Sequence, residues 1–532
     1  MFMTNNTQSV KLTRKELDAS LSFLEKFGYS LFLPEPFEIR AIRDNWSDIA
    51  PLLNKIELRS YEPQNAIKIM VPKKRYTVRP VHLLNPVDII LFTGLVYRLG
   101  PIIEAAREKN DGKVFSSRFK YKDINGNFEL DNNWDLFSEN LERLTSKYKM
   151  VAKADIVDFF PMIYLHRLEN SISSVCKENS KEGSMEYEIK CIMSFLEKWS
   201  EGTSYGIPIG PRVSHLLAEA YLIQIDHFLD SLEIDYVRYI DDYYMFADSE
   251  SQCIKILYEL GERLNDEHLS LNEAKTYPMP TSALMNSLLK LKNNDKSLKE
   301  EVTRKVFNGN PYVVVTYDDL TPEQKKLIDE INVKELMANA LKFQMTDFSE
   351  IEFTLQVLSA LKRPDLISLV TENLERLSPI SNSVANFLNV FDEISEDIRV
   401  KTGKEIISYL EKSTYVTDFQ FLWLLDPFVQ CKEWNNIREL RKIARENKHT
   451  LVKRQAILSI GSSGDRSALL DIKPKISQTY DWERRAIIYA CRNLPFDEQH
   501  TLYRQLGINK GWTKENLLDK ATLVYGNSTK KK

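Results

Sequence analysis

The chain has 532 residues, with 43% hydrophobic and 28% charged residues. That length is enough for three or four domains of roughly 150 residues each, or for two large ones, and the balance is that of folded protein rather than wholesale disorder. Its 72 basic and 76 acidic residues give a net charge of −4, which argues against binding nucleic acid by bulk charge but leaves local basic patches open. Gly (17) and Pro (20) are scarce, so long helices are expected and collagen-like, bladed or many-hairpin architectures are not.

The N-terminus, MFMTNNTQSVKLTRKE, has no apolar core of a signal peptide. The longest apolar run, Ile89 to Tyr97, is far short of the ~20 residues a membrane helix needs. Five cysteines form no C-x-x-C pair, and seven histidines show no metal-ligand spacing. A soluble, cytoplasmic protein with reduced thiols and no membrane partner is expected.

In chain order, Lys15 to Phe27 reads as an amphipathic helix. From Ile67 to Leu84, β-branched and basic residues alternate as in a strand or hairpin. Residues 135–150 read as helical. Two strong strand signals follow, in AKADIVDFF and YVRYIDDYYMFAD, with helices between and after them. Beyond about residue 325 strand signals nearly vanish. Leucine-rich helical text runs on, with turns expected at Ser378–Pro379, Gly461 to Gly464 and Pro495. Within it, Lys453–Leu458 aligns with Glu483–Ile488 at an offset of 30 residues, the kind of repeat found in HEAT-like arrays. A non-repetitive helical domain explains two copies equally well. A basic run there (Arg438, Arg441, Lys442, Arg445, Lys448, Lys453, Arg454) could guide single-stranded nucleic acid; a solvated helix face or a subunit contact is the simpler account. The last residues, GNSTKKK, read as a disordered polar tail.

Three segments carry chemistry. Asp241 and Asp242 stand between the apolar runs Tyr236–Ile240 and Tyr243–Ala247, at the tip of a tight hairpin. An ordinary Asp-Asp turn would lie there too. The strand Val151–Ile156 leads to Asp155, followed by Asp158-Phe159-Phe160-Pro161; a lone Asp at that place would be a helix cap. Gly206-Ile207-Pro208-Ile209-Gly210-Pro211 forms a rigid turn that opens a helix and lets backbone approach a base or sugar closely. If Asp155, Asp241 and Asp242 converge, unit charges ~4 Å apart repel by about 1 kcal/mol per pair in water and about 4 kcal/mol at a dielectric of 20, so a counter-charge is required. Oxygen-only donors favour Mg²⁺, or Mn²⁺, over Zn²⁺. Two such ions can activate a hydroxyl and stabilise departing pyrophosphate.

In this order the three segments resemble motifs A, B and C of reverse transcriptase palms. Lys73-Lys74-Arg75-Tyr76-Thr77-Val78-Arg79-Pro80 resembles the basic hairpin of the fingers, and Leu271-Asn272-Glu273-Ala274-Lys275-Thr276 resembles motif D. The resemblance implies catalytic, metal-binding roles for Asp155, Asp241 and Asp242, and nucleotide-binding roles for Lys74, Arg79, Phe160, Gly206 and Lys275. Phe160 would be the aromatic gate that excludes a ribose 2′-hydroxyl. The chain departs from most of the family in having Ser204-Tyr205 before Gly206, where Gln is usual. It lacks a Cys/His nuclease cluster, a second acidic constellation and the Val-Thr-Gly signature of retron enzymes.

Fingers and palm followed by helical text, with Val114-Phe115-Ser116-Ser117-Arg118 before motif A, resemble the bacterial abortive-infection and related defence-associated (unknown-group) reverse transcriptases. The expected fold is therefore α+β: a right-hand polymerase fused to an all-α HEAT-like helical-repeat domain. The expected division is 1–60 helical segment, 61–280 fingers and palm, 281–335 thumb-like linker, 336–520 HEAT-like domain and 521–532 polar tail. By resemblance the chain makes DNA from dNTPs in anti-phage defence, either protein-primed and template-independent or templated by a noncoding RNA. Single-stranded DNA product and a homo-oligomer, trimer or hexamer, are implied. The alternative is an inert palm serving as an RNA- or protein-binding scaffold.

Overall fold

A computed structural model describes residues 9–74, 77–107, 112–179, 185–293, 298–307, 315, 317–342, 347–362, 364, 367–391, 395–413, 415–430, 436–473, 476, 479–508 and 511–529. Arg75 and Tyr76 of the basic hairpin and Cys431 lie outside them. The chain forms two compact units that interleave in sequence. The first comprises residues 1–31, 50–68 and 81–291; the second comprises 32–49, 69–80 and 292–532.

Eight strands are present among the described residues: β1 (Ile67–Pro72), β2 (Val78–Leu83), β3 (Arg118–Tyr121), β4 (Phe128–Asp131), β5 (Met150–Asp155), β6 (Tyr236–Tyr239), β7 (Asp242–Ala247) and β8 (Tyr277–Pro280). β1–β2 and β3–β4 are two-stranded ribbons, and the remaining strands form one sheet in the order β6-β7-β5-β8. Every pairing in that sheet is antiparallel. The sheet belongs to the first unit. Because side chains alternate along a strand, Val151 and Phe246 share one face with Asp155 and Asp242. The inner part of that face is closed by Phe137, Leu141 and Leu144 of the helix Trp134–Lys147. On the other side the helix Glu250–Asp266 packs against β5, β7 and β8.

The helix Pro86–Arg107 is the core of the first unit. It packs on the helices Arg14–Phe27, Leu165–Asn179, Glu186–Trp199 and Ser214–Ser231. At 22 residues it is long and apolar enough to cross a membrane, but 72% of its apolar window is buried by the protein itself. The apolar run seen in the sequence is only its middle. Gly94 lies within that run and Gly100 beyond it; a Cβ at Gly94 would press on Leu12 and one at Gly100 on Phe119, so these glycines admit close neighbours.

In the second unit, helices two apart in the chain stack successively. Phe348–Leu361 packs on Ser381–Asn389, which packs on Asp418–Leu424 and Asp426–Gln430; Thr450–Ser463, Asp481–Ala490 and Leu517–Thr529 continue the series. The two sequence repeats fall on Thr450–Ser463 and Asp481–Ala490, which lie against each other. Gly461, expected in a turn, is instead inside the first of these helices. A Cβ there would come within 2.8 Å of the Ala490 Cα, so the glycine serves close helix contact. Gly464, at φ 70°, ends the helix. The stretch read as a tail from residue 521 is helical through Thr529 and buries Ala521, Thr522 and Tyr525.

The short helix Phe37–Asp44 belongs to this unit despite its place in the chain. Glu38, 1% exposed, accepts from Arg454 Nη2 at 2.6 Å and Arg485 Nε at 3.1 Å. Phe37 stacks on Tyr489 with ring centroids 4.5 Å apart. Arg454 is thus a core residue. Of the other basic-run residues, Arg441 and Arg445 pair with Asp471, and Lys442 with Glu411. The run is largely neutralised by carboxylates of its own unit, as a solvated and paired helix face would be. Glu38→Ala leaves two buried guanidinium groups without their carboxylate, a loss of about 3–5 kcal/mol. A melting transition lowered by several degrees in the full-length variant, with Glu38→Asp intermediate, is the expected result by calorimetry.

Candidate active site

Asp155 is the last residue of β5 and Asp242 the first of β7, and the two are direct partners in the register. Sequence position alone separates them by most of a hundred residues; the antiparallel pairing brings them together. Asp241 is the adjoining turn residue, and its carbonyl accepts the Ile156 amide at 3.3 Å. Tyr239 and Asp242 pair across the hairpin, so Ile240 and Asp241 make a two-residue turn. Ile240 has φ 57°. That sign suits a hairpin turn but is costly for a β-branched residue.

The segment resembling motif D runs beside the end of β5. Ser270 O accepts from Val157 N at 2.9 Å, Leu271 bridges Ile156, and Asn272 N donates to Asp155 O at 2.8 Å. Asn272 Nδ2 then donates to Asp155 Oδ2 at 3.1 Å and Lys275 Nζ to Oδ1 at 2.8 Å. Lys275 is half exposed while Asp155 is buried. The ammonium is the counter-charge that three neighbouring carboxylates require, and its hydrogen bond to Asp155 raises the Lys275 pKa.

The remaining two carboxylates are less well compensated. Burial first, then the charge of Asp242, pushes Asp241 up to about 6. Asp242 is raised by burial and by Asp155. Lys153, on the same face of the sheet, lies 5.5 Å from the Tyr244 ring centroid and partly offsets Asp242. Among the described residues no group of three or more His, Cys, Asp or Glu side chains converges closely enough to hold a metal ion. The donor chemistry nevertheless fits a hard divalent cation: oxygen donors only, negative charge in excess, and an ammonium standing on Asp155 where positive charge is favoured.

Phe160 lies in the short helix Phe159–Met162 and is half-buried, whereas Phe159 is 3% exposed. The Phe160 ring meets His215 edge-on at 4.9 Å. Its carbonyl accepts from Ile207 N at 3.1 Å, so the glycine loop and the Phe160 turn are one assembly. Gly206, at φ 92°, fits against Pro161, whose carbonyl oxygen lies 3.3 Å from where a Cβ would stand. The other end of the loop is tied to β2: Ile209 N donates to His82 Nδ1 at 3.3 Å, and His82 N to Ile209 O at 2.9 Å. Burial lowers His82 to about 4, so the ring is neutral and free to accept. Lys74 and Arg79 belong to the second unit. Lys74 Nζ is 2.5 Å from Glu352, and the Arg79 guanidinium lies over the Phe32 ring at 5.2 Å.

Sequence reasoning missed Arg107, Glu219, Asp226 and Arg238, all buried behind the sheet. The available signal was single charges inside otherwise apolar elements, which must find partners if buried.

Residues 71–287 match the reverse transcriptase (RNA-dependent DNA polymerase) family. Residues 71–287 are therefore a reverse transcriptase-type domain by this match, and the residues beyond 287 lie outside it. Solved structures with similarity include a truncated apo telomerase from Candida tropicalis, 14% identical over 42% of this chain and 51% of that one, with a TM-score of 0.33. Telomerase from Candida albicans with a fragment of telomeric RNA is 11% identical over 68% and 66% of the two chains, TM-score 0.34. Apo telomerase from Candida tropicalis is 10% identical over 69% and 68%, TM-score 0.34. The chain thus spans about half to two thirds of the length of these relatives. No curated protein matches the chain.

The raised Asp241 gives a stability prediction. An acid whose pKa is higher folded than unfolded takes up protons on folding between the two values. Its ionised form therefore destabilises the fold above about pH 6, and the penalty fades as pH falls toward the ordinary value of 3.8. Asp241→Asn is expected to stabilise the metal-free protein by about 1–3 kcal/mol at neutral pH, with the gain shrinking under acid. Melting curves in EDTA across that pH range check it.

Proposed function

We propose that the chain is a reverse transcriptase-type DNA polymerase of a cytoplasmic bacterial anti-phage system. It joins dNTPs at a site formed by Asp155, Asp241 and Asp242. The observation that carries this reading is the register that sets Asp155 opposite Asp242, with Asp241 adjoining. These carboxylates would hold Mg²⁺ or Mn²⁺, which when bound supplies charge neutralisation for the attacking and leaving oxygens. Lys275, which now holds Asp155 Oδ1, would give up that contact if Asp155 held an ion, and could then meet a triphosphate. Gly206 and its loop support the Phe160 turn, so that the Phe160 ring excludes a 2′-hydroxyl. Lys74 and Arg79 are the remaining triphosphate partners in this reading.

The defence role rests on resemblance: fingers and palm followed by a helical domain, together with Val114–Arg118. The successive stacking of alternate helices in the second unit supports a HEAT-like array, with residues 281–335 as a thumb-like link. Synthesis is protein-primed and template-independent, or templated by a noncoding RNA, and a trimer or hexamer is the implied assembly.

Purified full-length protein with dNTPs and Mg²⁺, with and without added RNA, tests the reading. Asp155→Asn is expected to lower incorporation by about 10³-fold or more, equivalent to about 4 kcal/mol of transition-state stabilisation. Incorporation that survives this change would refute the site, whereas phage protection that survives Asp241→Ala combined with Asp242→Ala would favour the inert-scaffold alternative. Product that resists phenol and is released by protease indicates protein priming; product that appears only with RNA indicates templating. Phe160→Ala is expected to relax dNTP over rNTP preference by about tenfold or more, since the discrimination is a steric clash. Unchanged discrimination removes the gate role.

A further inference from the structure

The Val114–Arg118 segment has a physical task at the carboxylate turn. It lies along β6: Arg238 N donates to Lys113 O at 2.8 Å, Phe115 N to Arg238 O at 3.3 Å, and Val114 bridges Arg238. This places Ser116, fully buried, against the turn. Ile240 N donates to Ser116 Oγ at 2.9 Å, and Arg238 Nη1 donates to Ile240 O at 2.9 Å. Both polar groups of the residue preceding Asp241 are therefore held by side chains.

Those side chains are themselves fixed. Ser116 Oγ donates its single proton to Glu219 Oε1 at 2.5 Å, which turns a lone pair toward the Ile240 amide. Glu219 Oε2 accepts from Arg238 Nη1 at 2.8 Å and Arg107 Nη2 at 3.1 Å. Asp226 takes Arg238 in a two-pronged pair, at 2.8 and 2.5 Å. Arg107 also binds the carbonyls of Ser116 at 2.6 Å and Ser117 at 3.0 Å. A turn needing a positive φ is met most cheaply by Gly or Asn. An isoleucine at φ 57° persists only where its surroundings over-determine it. Here those surroundings are a charge-balanced, buried network.

We propose that Ser116 is a positioning residue. Through its hydroxyl, relayed from Glu219, on the peptide before Ile240, and with Arg238 on the peptide after it, it clamps Ile240 in the left-handed conformation that sets the placement of Asp241 and Asp242. The inference rests on the reading of those aspartates as the catalytic pair.

The test uses the full chain. Ser116→Ala is expected to lower the maximal rate of dNTP incorporation with Mg²⁺ by about tenfold or more while changing the dNTP KM less than about threefold. It should also weaken Mn²⁺ binding to the metal-free protein, followed by electron paramagnetic resonance, several-fold. Ser116→Thr, which keeps the hydroxyl, recovers most of both losses. Ile240→Gly reaches the same φ without strain, so the loss from Ser116→Ala is smaller in its background. Wild-type rate and Mn²⁺ affinity in Ser116→Ala, or equal losses with and without Ile240→Gly, overturn the clamp. If Ser116→Ala does not fold, Ile240→Gly alone decides: a raised melting temperature supports a clamped, strained residue, and an unchanged or lowered one overturns it. Asp241→Ala combined with Asp242→Ala separates the two levels. Incorporation that survives in that variant refutes the site itself, whereas a dead variant beside a wild-type Ser116→Ala refutes only the clamp.

Discussion

The register of β5 against β7 is the constraint on which the site depends. Side chains alternate between faces with a period of two, so a slip of one residue would send every side chain of a strand to the opposite face. In the observed register Asp155 meets Asp242 on one face, while Arg238, paired with Tyr243, lies on the other. A slip in β6 would turn Arg238 away from Asp226 and Glu219 and leave two buried carboxylates without their guanidinium. Such unpaired buried charge costs several kcal/mol. The interior ions therefore do more than tolerate burial: they penalise the wrong registers. In doing so they fix where the ends of the two inner strands carry their acids.

The same sheet holds two charge clusters of opposite design. Behind it, Arg107 and Arg238 balance Glu219 and Asp226, and Arg238 stays protonated because two carboxylates outweigh its burial. In front, three carboxylates share Lys275 and the more distant Lys153, and two of them are raised by burial and mutual repulsion. A balanced cluster is structural in character. An unbalanced one stores electrostatic energy that a bound cation would relieve.

Much of this was legible in the sequence because the signals were local. The apolar runs Tyr236–Ile240 and Tyr243–Ala247, the strand Val151–Ile156, the Gly-Ile-Pro-Ile-Gly loop and the amphipathic Lys15–Phe27 helix each declare themselves within a short stretch of chain. What escaped was non-local. Glu219 sits in the helix Ser214–Ser231 and Arg238 on β6, and only the fold makes them partners. Gly461 looked like a turn because a glycine's role in a close helix crossing depends on Ala490, nearly thirty residues away. Arg454 looked like part of a surface stripe because its carboxylate, Glu38, comes from the far end of the chain.

That last pairing also bears on how the chain is organised. Order along the sequence suggests a polymerase with a helical domain appended. The second unit, however, draws residues 32–49 and 69–80 from the N-terminal part of the chain. Glu38 answers two buried arginines from residues 454 and 485, Phe37 stacks on Tyr489, and the Trp423 indole donates to Phe32 O at 2.9 Å. Removing everything beyond residue 291 would strip Glu38 and Phe37 of these partners and leave an apolar helix face uncovered. The helical unit cannot be a detachable module, because a segment between the first helix and the palm completes its core. Loop-closure entropy makes such a return costly to form, and the fully buried ion pairs are the kind of specific contact that makes it unique.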